Sequence, residues 1–118
     1  MDVQSHTYWH PNFKHERARR TSTDYVQFVR QQLDMSRKRI GAQTHRPVNL
    51  LAWPFGIYDD QSTALASHER YIATFTLEAR ALRRGDSRFA LPRFLVVEAT
   101  GIGGFARLIA EPIGHASP

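Results

Sequence analysis

Six histidines occur in these 118 residues. Two of them, His6 and His10, stand four residues apart in the run Ser5-His6-Thr7-Tyr8-Trp9-His10-Pro11. On one helical turn or a tight loop, that spacing can aim both imidazoles at a single metal ion. Imidazole suits Zn²⁺, Co²⁺, Ni²⁺ and Fe²⁺. Two histidines do not finish such a centre. A catalytic metal of this type takes a third protein ligand and keeps one position open for water. Spacing alone also fits two surface histidines on a polar turn, so the surrounding residues must decide. A second candidate is Leu51-Ala52-Trp53-Pro54-Phe55-Gly56, which closes an apolar run. Loops at the carboxyl ends of strands are where α/β proteins place their chemistry.

The elements that must position these residues follow from pattern. Residues 1–20 read as a loop carrying the histidines. Thr21, Ser22, Thr23 and Asp24 supply N-cap chemistry. A helix is expected from Asp24 to Ile40, with Tyr25, Val26, Phe28, Val29, Leu33 and Ile40 forming its buried stripe. Gly41 is its expected C-terminal stop. Val48 to Trp53 alternates little, as expected of a strand covered on both faces. Asp59 or Asp60 caps a second helix over 60–70. Tyr71 to Leu77 is a second strand, rich in β-branched and aromatic residues. A polar loop (83–90), a third strand from Pro92 to Val97, a turn built on Gly101, Gly103 and Gly104, and a last helix over 104–111 complete the series. The tail 112–118 is expected to fray. This alternation predicts parallel βα units and an α/β fold.

Composition bounds the rest. The length fits one domain, and 42% hydrophobic residues is ordinary for a globular chain. No apolar run is long enough to span a membrane, and no apolar segment of the signal-peptide type follows Met1 and Asp2. Cys is absent, which excludes disulfides, thiolate metal sites and Cys nucleophiles. The net charge of +5 is concentrated between Lys14 and Arg46, where nine Lys or Arg face three acids. Such a block can bind nucleic acid, but a solvated helix face is the commoner cause.

The residues Ser5 to Phe13 resemble the second motif of the NodB-homology polysaccharide deacetylases, His-[Ser/Thr]-x-x-His-[Pro/Ser]. The resemblance implies that His6 and His10 bind a catalytic divalent metal, Zn²⁺ first, with Co²⁺, Ni²⁺ or Fe²⁺ possible. Ala52-Trp53-Pro54-Phe55-Gly56 is similar to the family's third motif, Arg-x-Pro-[Tyr/Phe]-Gly. By that match Trp53, Pro54, Phe55 and Gly56 form a wall of the substrate groove, and the Phe55 N–H holds the tetrahedral oxyanion. A preorganised N–H of this kind contributes on the order of 3 kcal/mol. Ala52 departs from the common Arg. The form resembles the branch that de-N-acetylates poly-N-acetylglucosamine and related envelope polysaccharides. Phe75-Thr76-Leu77, Arg83-Arg84-Gly85-Asp86 and Leu91 to Val96 are similar to that branch's later strands. The likeness runs from about Asp2 to Ala110. It implies an N-acetylglucosamine polysaccharide as substrate, with Trp9, Trp53 and Phe55 as aromatic surface for sugar rings, or as core. It also implies a cell-envelope location for full-length relatives.

The family's first motif, an Asp-Asp pair supplying the third ligand and the general base, has no counterpart here. Asp2 leads directly into the histidine motif, and Asp59-Asp60 reads as a helix cap. The fifth-motif histidine, usually the general acid, is also lacking, and His115 in the tail is a poor candidate. The expectation is therefore one truncated deacetylase domain over 1–118. Its fold would be a partial (β/α) barrel missing N-terminal strands, with unpaired sheet edges that favour self-association. Loss of a general base slows such chemistry by about 10²–10⁴. The alternative is an inactive remnant that binds carbohydrate or metal. A small basic nucleic-acid binder is the lesser one.

Overall fold

The computed structural model describes residues 1–110. Its backbone is organised around one long helix. Helix α1 (Phe13–Arg19) is capped by Asn12, whose side chain accepts from the His15 N–H. Helix α2 (Ser22–Thr44) is capped by Thr21, which accepts from the Asp24 N–H. Strand β1 (Leu50–Ala52) leads through a 3₁₀ turn (Pro54–Gly56) to α3 (Asp60–His68) and then to β2 (Ala73–Phe75). A second 3₁₀ turn (Glu98–Thr100) precedes α4 (Gly101–Ala110).

β1 and β2 pair in parallel, with Leu51 opposite Thr74. Helix α3 is the crossover between them, as expected of a parallel βα unit. Single parallel bridges extend the row on both sides, Ser5 to Leu51 and Phe75 to Leu91. One face of this row is sealed. Ser5, Leu51, Trp53 and Thr74 are all buried, and the core joins them to Phe13, Tyr25, Val29 and Leu33. On the other face Leu50, Ala52 and Phe75 are only partly covered. The α/β class is therefore observed, with parallel order as predicted.

Several boundaries differ from expectation. Residues 13–19 form a helix rather than loop, because Asn12 caps it and Phe13 packs edge-on against Trp53 at 5.7 Å between centroids. α2 runs through Gly41 to Thr44. The residue that ends it is His45, in the left-handed region at φ 56°, with its N–H bonded to the Gly41 carbonyl. Residues 92–97 form no strand, since beyond Leu91 no neighbouring strand pairs with them among the described residues. Gly103 and Gly104 lie inside α4 rather than in a turn before it. The end of the expected last helix at 111, the tail 112–118 and His115 lie outside the described residues.

Candidate metal centre

The loop between Ser5 and Pro11 carries both histidines, and α2 holds it from beneath. Buried Gln32 accepts two hydrogen bonds through Oε1, from the Tyr8 N–H and the Trp9 N–H, each at 3.0 Å. One turn further along, the Ser36 hydroxyl lies 2.6 Å from the Ser5 hydroxyl and 3.2 Å from the Tyr71 hydroxyl. Ser5 in turn accepts from the Thr7 N–H, and Thr7 accepts from the His10 N–H. The loop needs these ties. Thr7 and His10 both take positive φ, 69° and 61°, a region that costs a side-chain-bearing residue about 1–3 kcal/mol.

The result brings the two imidazoles together. Their centroids lie 4.6 Å apart, with the rings inclined at 64°. His6 Nδ1 sits 2.7 Å from the Ala52 carbonyl. A carbonyl oxygen only accepts, so Nδ1 carries the proton and Nε2 keeps its lone pair for a ligand. Burial lowers the His6 pKa below its ordinary value near 6.5. The Ala52 hydrogen bond partly opposes this, while His10 and Arg93 add to it. A neutral imidazole is the form that binds metal.

The loop after β1 closes the other side. Phe55 has φ 58° and packs its ring against His10, 4.7 Å between centroids. Its side chain is exposed, and its N–H has no hydrogen-bond acceptor among the described residues. Gly56 makes this turn possible. Its φ is +67°, and a Cβ there would stand 2.8 Å from the Leu77 Cβ and 2.9 Å from the Leu77 nitrogen.

Beside His6 opens a cavity of about 360 Å³, bounded by Ala52, Phe75 and Arg93 among others. Arg93 donates Nε to the Thr76 carbonyl at 2.7 Å and lies 3.4 Å from the Trp53 carbonyl. Burial lowers its pKa, and no carboxylate pairs with it among the described residues. The donor set fits two imidazole ligands. Among the described residues no third His, Cys, Asp or Glu joins them.

Of the residues singled out from sequence, His6, His10 and Phe55 converge. Trp53 and Pro54 are fully buried, so their rings offer no face to a sugar. The Trp53 indole is core, packed on Phe13. Trp9 is half-exposed, tilted onto Phe28 at 5.4 Å. Asp59 caps α3 in a reciprocal box with Ser62 and lies on the Arg17 guanidinium, away from the histidines. Part of the basic block is paired: Arg17, Arg20, Arg30, Arg37 and Lys38 each meet a carboxylate, the last two sharing Asp34. Gln32, Ser36 and Arg93 were not anticipated as site residues. For the first two a signal existed, because they are polar residues on the buried stripe of α2.

Residues 1–72 match the polysaccharide deacetylase family. No curated protein matches the chain. Among solved structures, the fold is similar to Streptococcus pyogenes deacetylase PplD in complex with acetate. That match has a TM-score of 0.74 at 17% identity and covers 92% of this chain and 44% of that one. It is also similar to BC0361, a polysaccharide deacetylase from Bacillus cereus, with a TM-score of 0.67 at 22% identity and coverage of 92% and 32%. IcaB from Ammonifex degensii gives a TM-score of 0.69 at 17% identity, covering 91% and 46%. The chain thus spans less than half the length of these solved relatives. With its histidine motif, its aromatic-Pro-aromatic-Gly turn and the parallel strands that join them all inside or beside the matched segment, the chain belongs to the polysaccharide deacetylase family.

Proposed function

We propose that the chain carries the two-histidine part of a metal-dependent de-N-acetylase acting on an N-acetylglucosamine polysaccharide of the cell envelope. The observation that carries this reading is the convergence of His6, His10 and Phe55 in one loop cluster. His6 and His10 would hold a divalent metal, Zn²⁺ first. When bound, such an ion polarises an amide carbonyl and lowers the pKa of water. The Ala52 carbonyl orients His6 and fixes its tautomer, the kind of outer contact that raises ligand basicity. The Phe55 N–H, which has no acceptor among the described residues, would donate to the developing oxyanion, and the exposed Phe55 ring would offer a face to a sugar. Arg93 leaves a positive charge at the cavity wall, where a carboxylate would be stabilised.

No Asp or Glu joins the two histidines among the described residues, so hydrolysis by these residues alone is expected to be slow, by about 10²–10⁴ relative to a site with a general base. Acetate release from N-acetylglucosamine oligomers, with Zn²⁺ added, tests the reading. Slow release that a chelator stops and His10→Ala abolishes is the expected result. Oligomer binding with no release in any metal supports the second reading, a carbohydrate-binding remnant. That reading rests on the absence of a third ligand among the described residues.

A further inference from the structure

We infer that Gln32 is the positioning residue that makes His6 and His10 a metal-competent pair. This deepens the metal reading above and rests on it.

Three observations carry the inference. Gln32 is 3% exposed, in a helix whose neighbouring inward residues, Val29 and Leu33, are wholly apolar. A buried amide is costly unless its polar atoms are engaged, so its place there calls for a reason. Its oxygen is engaged twice, by the consecutive N–H groups of Tyr8 and Trp9. Those two residues lie between the histidines, and the loop bends through positive φ on either side of them, at Thr7 and at His10. No other side chain bonds the backbone of Tyr8 or Trp9 among the described residues.

The mechanism is geometric. His6 is fixed independently, by the Ala52 carbonyl and by the Ser5 bridge to β1. His10 has no hydrogen bond from its ring among the described residues; its position depends on the loop backbone and on contact with Phe55. Gln32 sets the path of that backbone from one histidine to the other. Withdrawing its oxygen leaves the Tyr8 and Trp9 N–H groups without their acceptor and lets the turn relax. His10 then swings away while His6 stays. Outer-shell contacts of this kind typically change metal affinity by about 10–100-fold when lost.

The test compares Gln32→Met, which keeps length and removes the acceptor, with Gln32→Glu, which keeps an acceptor oxygen. Zn²⁺ affinity is measured by calorimetry. In the metal-free chain, the magnetisation-transfer contact between the His6 and His10 rings is measured by NMR. The expected result for Gln32→Met is a loss of the ring contact and about tenfold or more weaker zinc binding, with Gln32→Glu restoring both. If Gln32→Met does not fold, Gln32→Asn is used, whose shorter side chain cannot reach both N–H groups, and the same losses are expected. Retention of the ring contact, or zinc affinity within about twofold of the parent, in a folded acceptor-less variant overturns the inference. If the parent itself binds no zinc, the metal reading fails alone, and the ring contact still decides the role of Gln32.

Discussion

At the scale of single residues, one carbonyl and one amide do most of the positioning. The Ala52 carbonyl decides which nitrogen of His6 is free, and Gln32 decides where His10 lies. Gly56 is the third such residue. A methyl group there would collide with Leu77, and the left-handed backbone adds strain of its own. Gly56→Ala is expected to lower stability by about 1–3 kcal/mol, measured by urea denaturation. It should also displace the Phe55 ring from His10. The histidine pair and the Phe55 turn could be read from sequence because each is contiguous. The burial of Trp53 could not. Its packing partner Phe13 lies far away in sequence, and the same ring types serve core and sugar platform alike. Gln32 and Ser36 showed themselves only as polar members of an apolar stripe, a pattern that signals a buried tie without naming its partner.

At the scale of elements, the caps matter most. Asp59 joins three helices: it caps α3, accepts from Arg17 of α1 and lies 3.4 Å from the Tyr25 hydroxyl of α2. Burial alone would raise its carboxyl pKa. Hydrogen bonds from the Ser62 N–H and Arg17 outweigh that and hold it below the ordinary range. The folded state favours the ionised carboxylate, so its contribution to stability is full above the ordinary carboxylate range, near pH 4. It is lost as pH falls through the lower folded value. Asp59→Asn is expected to flatten that acid limb in thermal unfolding followed against pH. Asp59→Ala should cost about 1 kcal/mol at neutral pH for the cap. The long helix was predictable from its stripe and from the N-cap run Thr21 to Asp24, though it begins at Ser22 rather than Asp24, and a cap at Asp59 or Asp60 was predictable from that pair. α1 was not, since Phe-Lys-His-Glu-Arg-Ala-Arg offers one apolar anchor and no period. The helix end slipped from Gly41 to His45 because a residue with a side chain, rather than glycine, takes the left-handed turn.

At the scale of the molecule, the parallel row is sealed on one face and open on the other. A parallel sheet is ordinarily covered on both. α4 is likewise uncovered: none of its residues is buried, and Ile102, Phe105 and Ile109 are exposed, as are Leu95, Val96 and Val97. Apolar surface of this kind drives association. Sedimentation at rising concentration is expected to show self-association, reduced by Ile102→Lys with Ile109→Lys. No helix among the described residues is long and apolar enough to cross a membrane. As proposed above, one tethered loop would carry His6 and His10 to a shared divalent metal. Zinc calorimetry on the purified chain, with His6→Ala and His10→Ala beside it, tests that most directly. One Zn²⁺ bound per chain, and lost in both variants, is the predicted result. No binding, or binding that survives both substitutions, would rule out a His6–His10 metal site.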